Sequence, residues 1–314
     1  MLKTFPGFVD LGPPELAVLA SICKERIFPA GATMHEPGRA VSKFYLVVEG
    51  SVHTLKRGRV TQKLGNKSSI GGLAALTRDP RGAHAIAVED TLALEIEVDD
   101  MEDVFEDNFN ISHGVLAALA RTLREVQVQT GGGASVASAR YFEPVTHDRR
   151  LHLVEKMFFL RKTTNFGEAS IEALADLASH AKEKRFADGT ELWAVGDASE
   201  YSLLIVMGKV LGFVESGEEI EFPVGYIVGG LDSLSHSPRW YRAVAAGELR
   251  ALVLRRSYLL DVLEDYPDMM LLLLRGLATG IERTLEMLAA QESAASRRGK
   301  DVSPSALEGV IDQG

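Results

Sequence analysis

Apolar residues follow two different spacings along the chain, and these spacings predict where helices and strands lie. Leu16, Leu19 and Ile22 are about one helical turn apart, which predicts a helix near the N-terminus. Short runs of β-branched and aromatic residues, separated by turn residues, then predict a series of strands. We place four of them at residues 44–48, 51–55, 85–88 and 93–98.

Helical spacing returns after residue 99 and predicts two long helices. The first covers residues 111–129 and carries an apolar stripe with the three-and-four spacing of paired helices. The second carries the same stripe from Met270 to Leu288. Residues 269–274 are apolar on every side, which implies burial on more than one side. We therefore expect the long helices to pair, within one chain or between two chains.

The second half of the chain repeats the first without gaps, at an offset of 158 residues. Gly71-Gly72-Leu73 matches Gly229-Gly230-Leu231, and Pro80-Arg81 matches Pro238-Arg239. Repeated glycines and prolines fix turns, so the duplicated unit is a folded domain. We predict a first domain at 8–130, a glycine-rich joint and connecting helix at 131–164, a second domain at 165–290 and a disordered tail at 291–314. The connecting helix is placed at residues 149–161.

Composition limits the possible functions. The formal net charge of −10 argues against a nucleic-acid surface and means that a bound anion needs a local positive group. The single cysteine, Cys23, cannot form an internal disulfide, and no secretory signal is present, so we expect a cytoplasmic protein. We find no enzyme motif, no metal-binding motif and no apolar run long enough to span a membrane.

Two segments carry the candidate binding chemistry, and we name them the first cassette (residues 70–84) and the second cassette (residues 228–242). Each begins with a Gly-Gly turn that feeds a short helix, which exposes backbone N–H groups to an anion. Each ends with a Pro-Arg pair, whose guanidinium offers a fork of donors that matches a phosphate.

These cassettes, in the order helix, short strands and long helix, resemble the cyclic nucleotide-binding domain. That family includes the bacterial catabolite activator and the regulatory subunit of cyclic-AMP-dependent protein kinase. The resemblance covers about residues 8–130 and 165–290. It implies an α+β fold with two tandem jelly-roll-like β-rolls, each flanked by helices. It also implies a cyclic nucleotide such as cAMP or cGMP as the possible ligand, and no other cofactor.

Both cassettes depart from the family pattern at one position. The family's glutamate, which accepts a hydrogen bond from the ribose 2′-hydroxyl, is Gly72 in the first cassette and Gly230 in the second. Such a charged hydrogen bond contributes about 1.5–3 kcal/mol, so its loss would weaken an ordinary cyclic nucleotide about tenfold or more. Alternatively, the glycines leave room for a ligand of different chemistry, or they serve only the turn.

The second cassette departs further. Trp240, Tyr241 and Arg242 stand where the family has small residues after the arginine, and the tyrosine should intrude on the phosphate pocket. The first cassette keeps Gly82 and Ala83, with His84 where threonine or serine is usual; this histidine either donates to a phosphate or is merely solvated.

We therefore predict one favoured and one doubtful ligand site. The favoured residues are Gly71, Gly72, Leu73, Arg81, Gly82, Ala83 and His84. The doubtful residues are Gly229, Gly230, Leu231, Arg239, Trp240, Tyr241 and Arg242.

Three functional hypotheses remain. The first is a non-enzymatic sensor that binds a phosphate ligand in the first domain and signals to a protein partner. The second is a ligand-free adaptor whose β-rolls bind other proteins. The third is a transcription regulator that acts through a partner's DNA-binding domain; the net charge and the lack of a DNA-reading helix-turn-helix weigh against it. A homodimer is compatible with all three.

Overall fold

The computed structural model describes residues 1–36, 38–39, 41–56, 59–78, 84–129 and 143–300. The α+β class is confirmed: two β-rolls, one in each half, are joined to a common layer of helices. Within the described ranges, no helix is long and apolar enough to cross a membrane.

The first half contains four helices and eight strands in its described part. After a 3₁₀ turn at Leu2–Thr4 these are α1 (Pro13–Ile22), β1 (Lys24–Phe28), β2 (Thr33–His35), β3 (Lys43–Glu49), β4 (Val52–Lys56), β5 (Arg59–Leu64), β6 (Ser69–Ile70), α2 (Gly72–Thr77), β7 (His84–Ala87), β8 (Thr91–Glu97), α3 (Val98–Asp107) and α4 (Phe109–Gln129). They form two antiparallel sheets, β1-β8-β3-β6 and β2-β7-β4-β5. The four predicted strands are confirmed as β3, β4, β7 and β8, with ends shifted by one or two residues.

The second half repeats this order. Its elements are α5 (Leu153–Lys162), α6 (Ile171–His180), β9 (Lys182–Phe186), β10 (Glu191–Trp193), β11 (Tyr201–Phe213), β12 (Glu219–Phe222), β13 (Ile227–Val228), α7 (Gly230–Leu234), β14 (Arg242–Arg255), α8 (Arg256–Asp265) and α9 (Pro267–Lys300). Here β11 covers the positions of β3 and β4, and β14 covers those of β7 and β8. The result is a single six-stranded sheet instead of two four-stranded sheets.

Each half has two apolar layers, one inside the roll and one between the roll and the helices. Successive side chains of a strand point to opposite faces, so a strand contributes to both layers. In β3, Tyr45 and Val47 lie inside the first roll, while Phe44 and Leu46 pack against the helices. The second roll has its own interior, built around residues such as Leu203 and Ile205. Each roll therefore has a separate interior, and one helical core is common to both halves.

The long helices join the halves. The predicted pairing within the chain is confirmed, because α4 packs against α9. In addition, α2 packs against α9, and α7 packs against α4. The short helix of each cassette therefore contacts the long helix of the other half, which gives the molecule a pseudo-twofold arrangement.

Three element boundaries differ from the predictions. The connecting helix α5 begins at Leu153 and not at residue 149, because Glu155 accepts a hydrogen bond from the His152 N–H (2.8 Å) in a capping box. Helix α4 begins at Phe109, two residues before the predicted start at residue 111. Helix α9 continues to Lys300, ten residues into the segment that the sequence predicts as a disordered tail. The alanines between residues 289 and 295 favour helix there. Residues 301–314 and the glycine-rich stretch at 131–142 lie outside the described residues.

Candidate functional site

The first cassette starts as the sequence predicts, with a glycine turn that opens a short helix. Gly71 is the residue before α2 and has a φ of 82°, which an L side chain rarely adopts. A Cβ at this position would lie 2.2 Å from His35 Nε2, so only glycine fits. Gly72 and Leu73 form the first turn of α2, and no side chain caps this helix start. Backbone N–H groups at this point are therefore available to another acceptor.

The remaining predicted residues of the first cassette are only partly described. Arg81, Gly82 and Ala83 lie outside the described residues, so their placement stays a prediction. His84 is the first residue of β7, and its Nε2 lies 3.5 Å from Thr33 Oγ1 on β2.

His35 is a residue beside the first cassette that sequence reasoning missed. Its ring lies 5.3 Å from the Tyr45 ring, and its buried Nε2 has no hydrogen-bond partner among the described residues. Burial lowers the pKa of His35, against a backbone hydrogen bond with Ile70, so the ring is neutral at pH 7. The 158-residue offset pairs His35 with Trp193, and this pairing was the available signal.

The second cassette has the same glycine turn, but its arginine is buried and binds other groups of the protein. Gly229 has a φ of 74° and precedes α7, which contains Gly230 and Leu231. Arg239 is 1% exposed and donates to the carbonyl oxygens of Gly229 (2.8 Å) and Tyr201. Its guanidinium carbon also lies 4.1 Å from the centre of the Trp193 ring. This arginine therefore has no surface open to a ligand in solvent.

Tyr241 binds the Gly229 backbone N–H, another group of the second cassette that an anion could have bound. Its hydroxyl accepts a hydrogen bond from the Gly229 N–H at 3.1 Å, and its side chain is buried. Burial raises the pKa of this phenol, which keeps it protonated. Trp240 packs edge-on against Tyr241, and Arg242 lies 3.4 Å from Glu191 at the surface. The tyrosine hydroxyl thus already accepts from a backbone N–H that a bound anion would otherwise use.

Asp232 and Arg124 complete the second cassette, and sequence reasoning missed both. Asp232 stands where the first cassette has Ala74 and is 1% exposed. Arg124 of α4 donates from Nε to its carboxylate at 2.8 Å, and Arg239 Nη1 lies 3.8 Å away. Burial raises the pKa of Asp232 to about 6, although the hydrogen bond from Arg124 and the charge of Arg239 act in the opposite direction. Arg124 also donates to the Pro238 carbonyl at 3.1 Å, which ties the cassette to a helix of the first half.

Comparisons with known proteins support the assignment of the first roll. The family model described as "Cyclic nucleotide-binding domain" matches residues 25–108. The cyclic AMP receptor protein of Thermus thermophilus is 29% identical over 133 residues, which are 41% of this chain and 62% of that protein. An uncharacterized NTE family protein of Mycobacterium tuberculosis is 26% identical over 125 residues, or 40% of this chain and 21% of that protein. The chain thus spans less than two thirds of either relative.

Among solved structures, the regulatory domain of Toxoplasma gondii PKA with cAMP covers 93% of this chain and 94% of its own length. Its sequence identity is 16% and its TM-score is 0.32. The family match includes the whole first cassette, with Arg81 in it. Residues 25–108 are therefore a cyclic nucleotide-binding domain, and the second half of the chain repeats the order of its helices and strands.

Proposed function

We propose that this chain is a non-enzymatic sensor whose first roll binds a cyclic nucleotide, or a related phosphate ligand, and signals to a protein partner. The observation that carries the proposal is the contrast between the cassettes. In the second cassette, Arg239 and Tyr241 already use the groups that a phosphate would need. The first cassette lies inside the family match and has Ala83 where the second has Tyr241.

The chemistry of the first cassette suits an anion in an otherwise acidic protein. The uncapped start of α2 offers N–H groups, and Arg81 supplies the positive charge. His84 adds a side chain that can donate to a phosphate oxygen. The neutral ring of His35, next to Gly71, adds one further polar atom that lacks a partner among the described residues.

Ion pairs between the halves connect the first cassette to the second half of the chain. Arg78, the residue that follows α2, pairs with Glu102 of α3, and Glu102 accepts a hydrogen bond from Arg275 of α9 at 3.0 Å. A ligand that shifts α2 therefore changes an ion-pair network that includes the second half. The cassette of the second half is held by internal contacts. We infer that the protein partner binds this half and responds to its change of position.

The test is thermal unfolding with a panel of cyclic mononucleotides, because a ligand of the native state raises the midpoint by mass action. We expect cAMP or cGMP to raise the midpoint of the wild type and to leave Arg81→Ala unchanged. Arg242→Ala is the matched control, since it removes an exposed arginine from the second cassette and should keep the response. If no cyclic nucleotide raises the midpoint of the wild type, the sensor proposal fails.

A ligand-free adaptor is the second candidate, and an exposed apolar pair favours it. Val154 and Phe158 are one helical turn apart on α5 and are 74% and 55% exposed. This exposed surface suits a protein that binds a protein partner without binding a ligand. The glycine at position 72, in place of the family's glutamate, favours the same function. The absence of any nucleotide response, with binding of another protein abolished by Phe158→Ser, is the outcome that this alternative predicts.

A further inference from the structure

A large cavity lies on the helix side of the first roll. Its volume is about 420 Å³, and its apolar lining includes Phe5, Phe8, Phe44, Leu46, Phe105 and Leu119. Phe44 and Leu46 point away from the roll interior, which contains Tyr45 and Val47. The cavity is therefore separated from the roll interior by strand β3. A volume of this size falls in the range of pockets that bind small molecules, roughly 300–1,000 Å³.

The second half has the same cavity in a much smaller form. The residues that line it are largely those related to the first lining by the 158-residue offset, yet its volume is about 150 Å³. Three of the exchanged positions carry larger side chains in the second half: Leu64 becomes Phe222, Ser68 becomes Tyr226 and Ser69 becomes Ile227. The fold itself thus does not require the large cavity. Unfilled apolar space destabilises a protein. The large cavity in the first half but not in the second therefore indicates that a ligand occupies it.

Lys67 lines this cavity and indicates the charge of the occupant. It is exposed and has a φ of 68°, a strained conformation for an L-residue, whereas the equivalent Gly225 adopts a φ of 91° without strain. Among the described residues, its ammonium group forms no ion pair with a carboxylate. The other charged lining residue, Glu102, is already neutralised by Arg78 and Arg275. Within the described part of the chain, Lys67 therefore places an unpaired positive charge beside the apolar cavity.

We propose that this cavity binds a small amphipathic carboxylate, with its hydrocarbon body among the phenylalanine and leucine side chains and its carboxylate at Lys67. Serine hydroxyls of Ser68 and Ser69 lie beside the lysine and can donate to the same oxygens. The ligand would also touch Leu73 of α2 and Leu119 of α4, so it would sit between the first cassette and a helix that joins the halves. The cavity borders Gly72 and Leu73 of the first cassette, whereas its charged group, Lys67, lies outside that cassette.

The test uses decanoate as the probe and isothermal titration calorimetry on the full chain. We expect one site per chain, and about tenfold weaker binding in Lys67→Gln, which keeps the backbone strain but removes the charge. The neutral analogue decan-1-ol should bind the wild type and Lys67→Gln equally. Lys63→Gln is the matched control, because Lys63 is an exposed lysine on β5 that does not line the cavity.

A second variant closes the cavity with the side chains that the other half already carries at these positions. Ser68→Tyr combined with Ser69→Ile should abolish decanoate binding, and cooperative thermal unfolding of the variant shows that it still folds. Absence of decanoate binding by the wild type, or unchanged binding in either variant, overturns the proposal. A nucleotide titration of the same proteins reports on the first cassette separately, so failure of one site is distinguished from failure of the other.

Discussion

The two cassettes share a glycine turn, a short helix and an arginine at the same spacing, yet their surroundings differ. In the second cassette the arginine is buried under Trp193 and bound to Asp232 and backbone carbonyls. Beside the first cassette, His35 stands in place of Trp193, and within it Ala74 stands in place of Asp232. An arginine in a phosphate-binding motif can therefore become an internal cross-link when neighbouring residues supply a carboxylate and an aromatic ring.

The largest expected effect concerns the internal cross-link. Arg239→Ala should lower the free energy of unfolding by about 3–5 kcal/mol, because it leaves the buried Asp232 with one arginine fewer. The Gly229 and Tyr201 carbonyls would also lose their donor. Urea denaturation measures the change. Arg242→Ala, an exposed arginine three residues away, should cost less than about 0.5 kcal/mol; equal losses in the two variants would contradict the assigned role of Arg239.

The buried carboxylate of Asp232 predicts a pH dependence of the free energy of unfolding. The pKa of Asp232 is raised to about 6 in the folded chain from 3.8, so the folded state keeps a proton that the unfolded state has lost. This group therefore lowers the stability as the pH rises from about 4 to 6, by an amount on the order of 2–3 kcal/mol. We expect the wild type to lose stability relative to Asp232→Asn across that window. Parallel pH profiles of unfolding free energy would show that Asp232 does not titrate as assigned.

The next effect tests the link between the halves. Arg124→Ala removes the hydrogen bond to Asp232 and the one to the Pro238 carbonyl. It should destabilise the chain by about 1.5–3 kcal/mol, less than Arg239→Ala because Arg239 still faces the carboxylate. Arg121→Ala on the same helix is the control, since Arg121 is exposed and should change stability by less than about 0.5 kcal/mol. A loss no larger than that of the control would mean that the cross-link between α4 and the second cassette contributes nothing.

A substitution in the first cassette should increase its affinity for a cyclic nucleotide. Gly72→Glu restores the glutamate that the family uses for the ribose 2′-hydroxyl and should strengthen cAMP binding about tenfold. Its Cβ would lie 2.4 Å from Ser69 Oγ, so the serine hydroxyl must rotate. Gly230→Glu, the matched change in the second cassette, should leave the affinity unchanged. Isothermal titration calorimetry measures both, and equal gains would place a ligand in each roll.

Two substitutions of Lys67 distinguish the contribution of backbone strain to the free energy of unfolding from that of charge, and their effects should be the smallest. Lys67→Gly relieves the left-handed conformation, which costs an L-residue about 1–2 kcal/mol, but adds the backbone entropy of glycine, about 0.5–1 kcal/mol. The net expectation is a stabilisation of about 0.5 kcal/mol in urea denaturation. Lys67→Gln keeps the strain and should show no such gain. Stabilisation of both variants by the same amount would mean that the charge, and not the backbone, is unfavourable.

Elements with a local or repeated signal could be predicted from the sequence. Strand β3 follows from its run of β-branched and aromatic residues, and the pairing of α4 with α9 follows from the apolar stripe. The Asp232–Arg124 contact could not be predicted, because its partners are 108 residues apart and meet only when the two halves pack. The 158-residue offset could have drawn attention to His35 and Asp232, since at both positions a polar residue in one half replaces an apolar one in the other.

The stoichiometry of cAMP binding distinguishes a chain with one ligand site from a chain with two. Isothermal titration calorimetry of the full chain should give one site per chain, retained in Arg242→Ala and lost in Arg81→Ala. Two sites per chain, or binding that persists without Arg81, would contradict the division of the duplicated rolls into one that binds ligand and one whose arginine is committed to the protein itself.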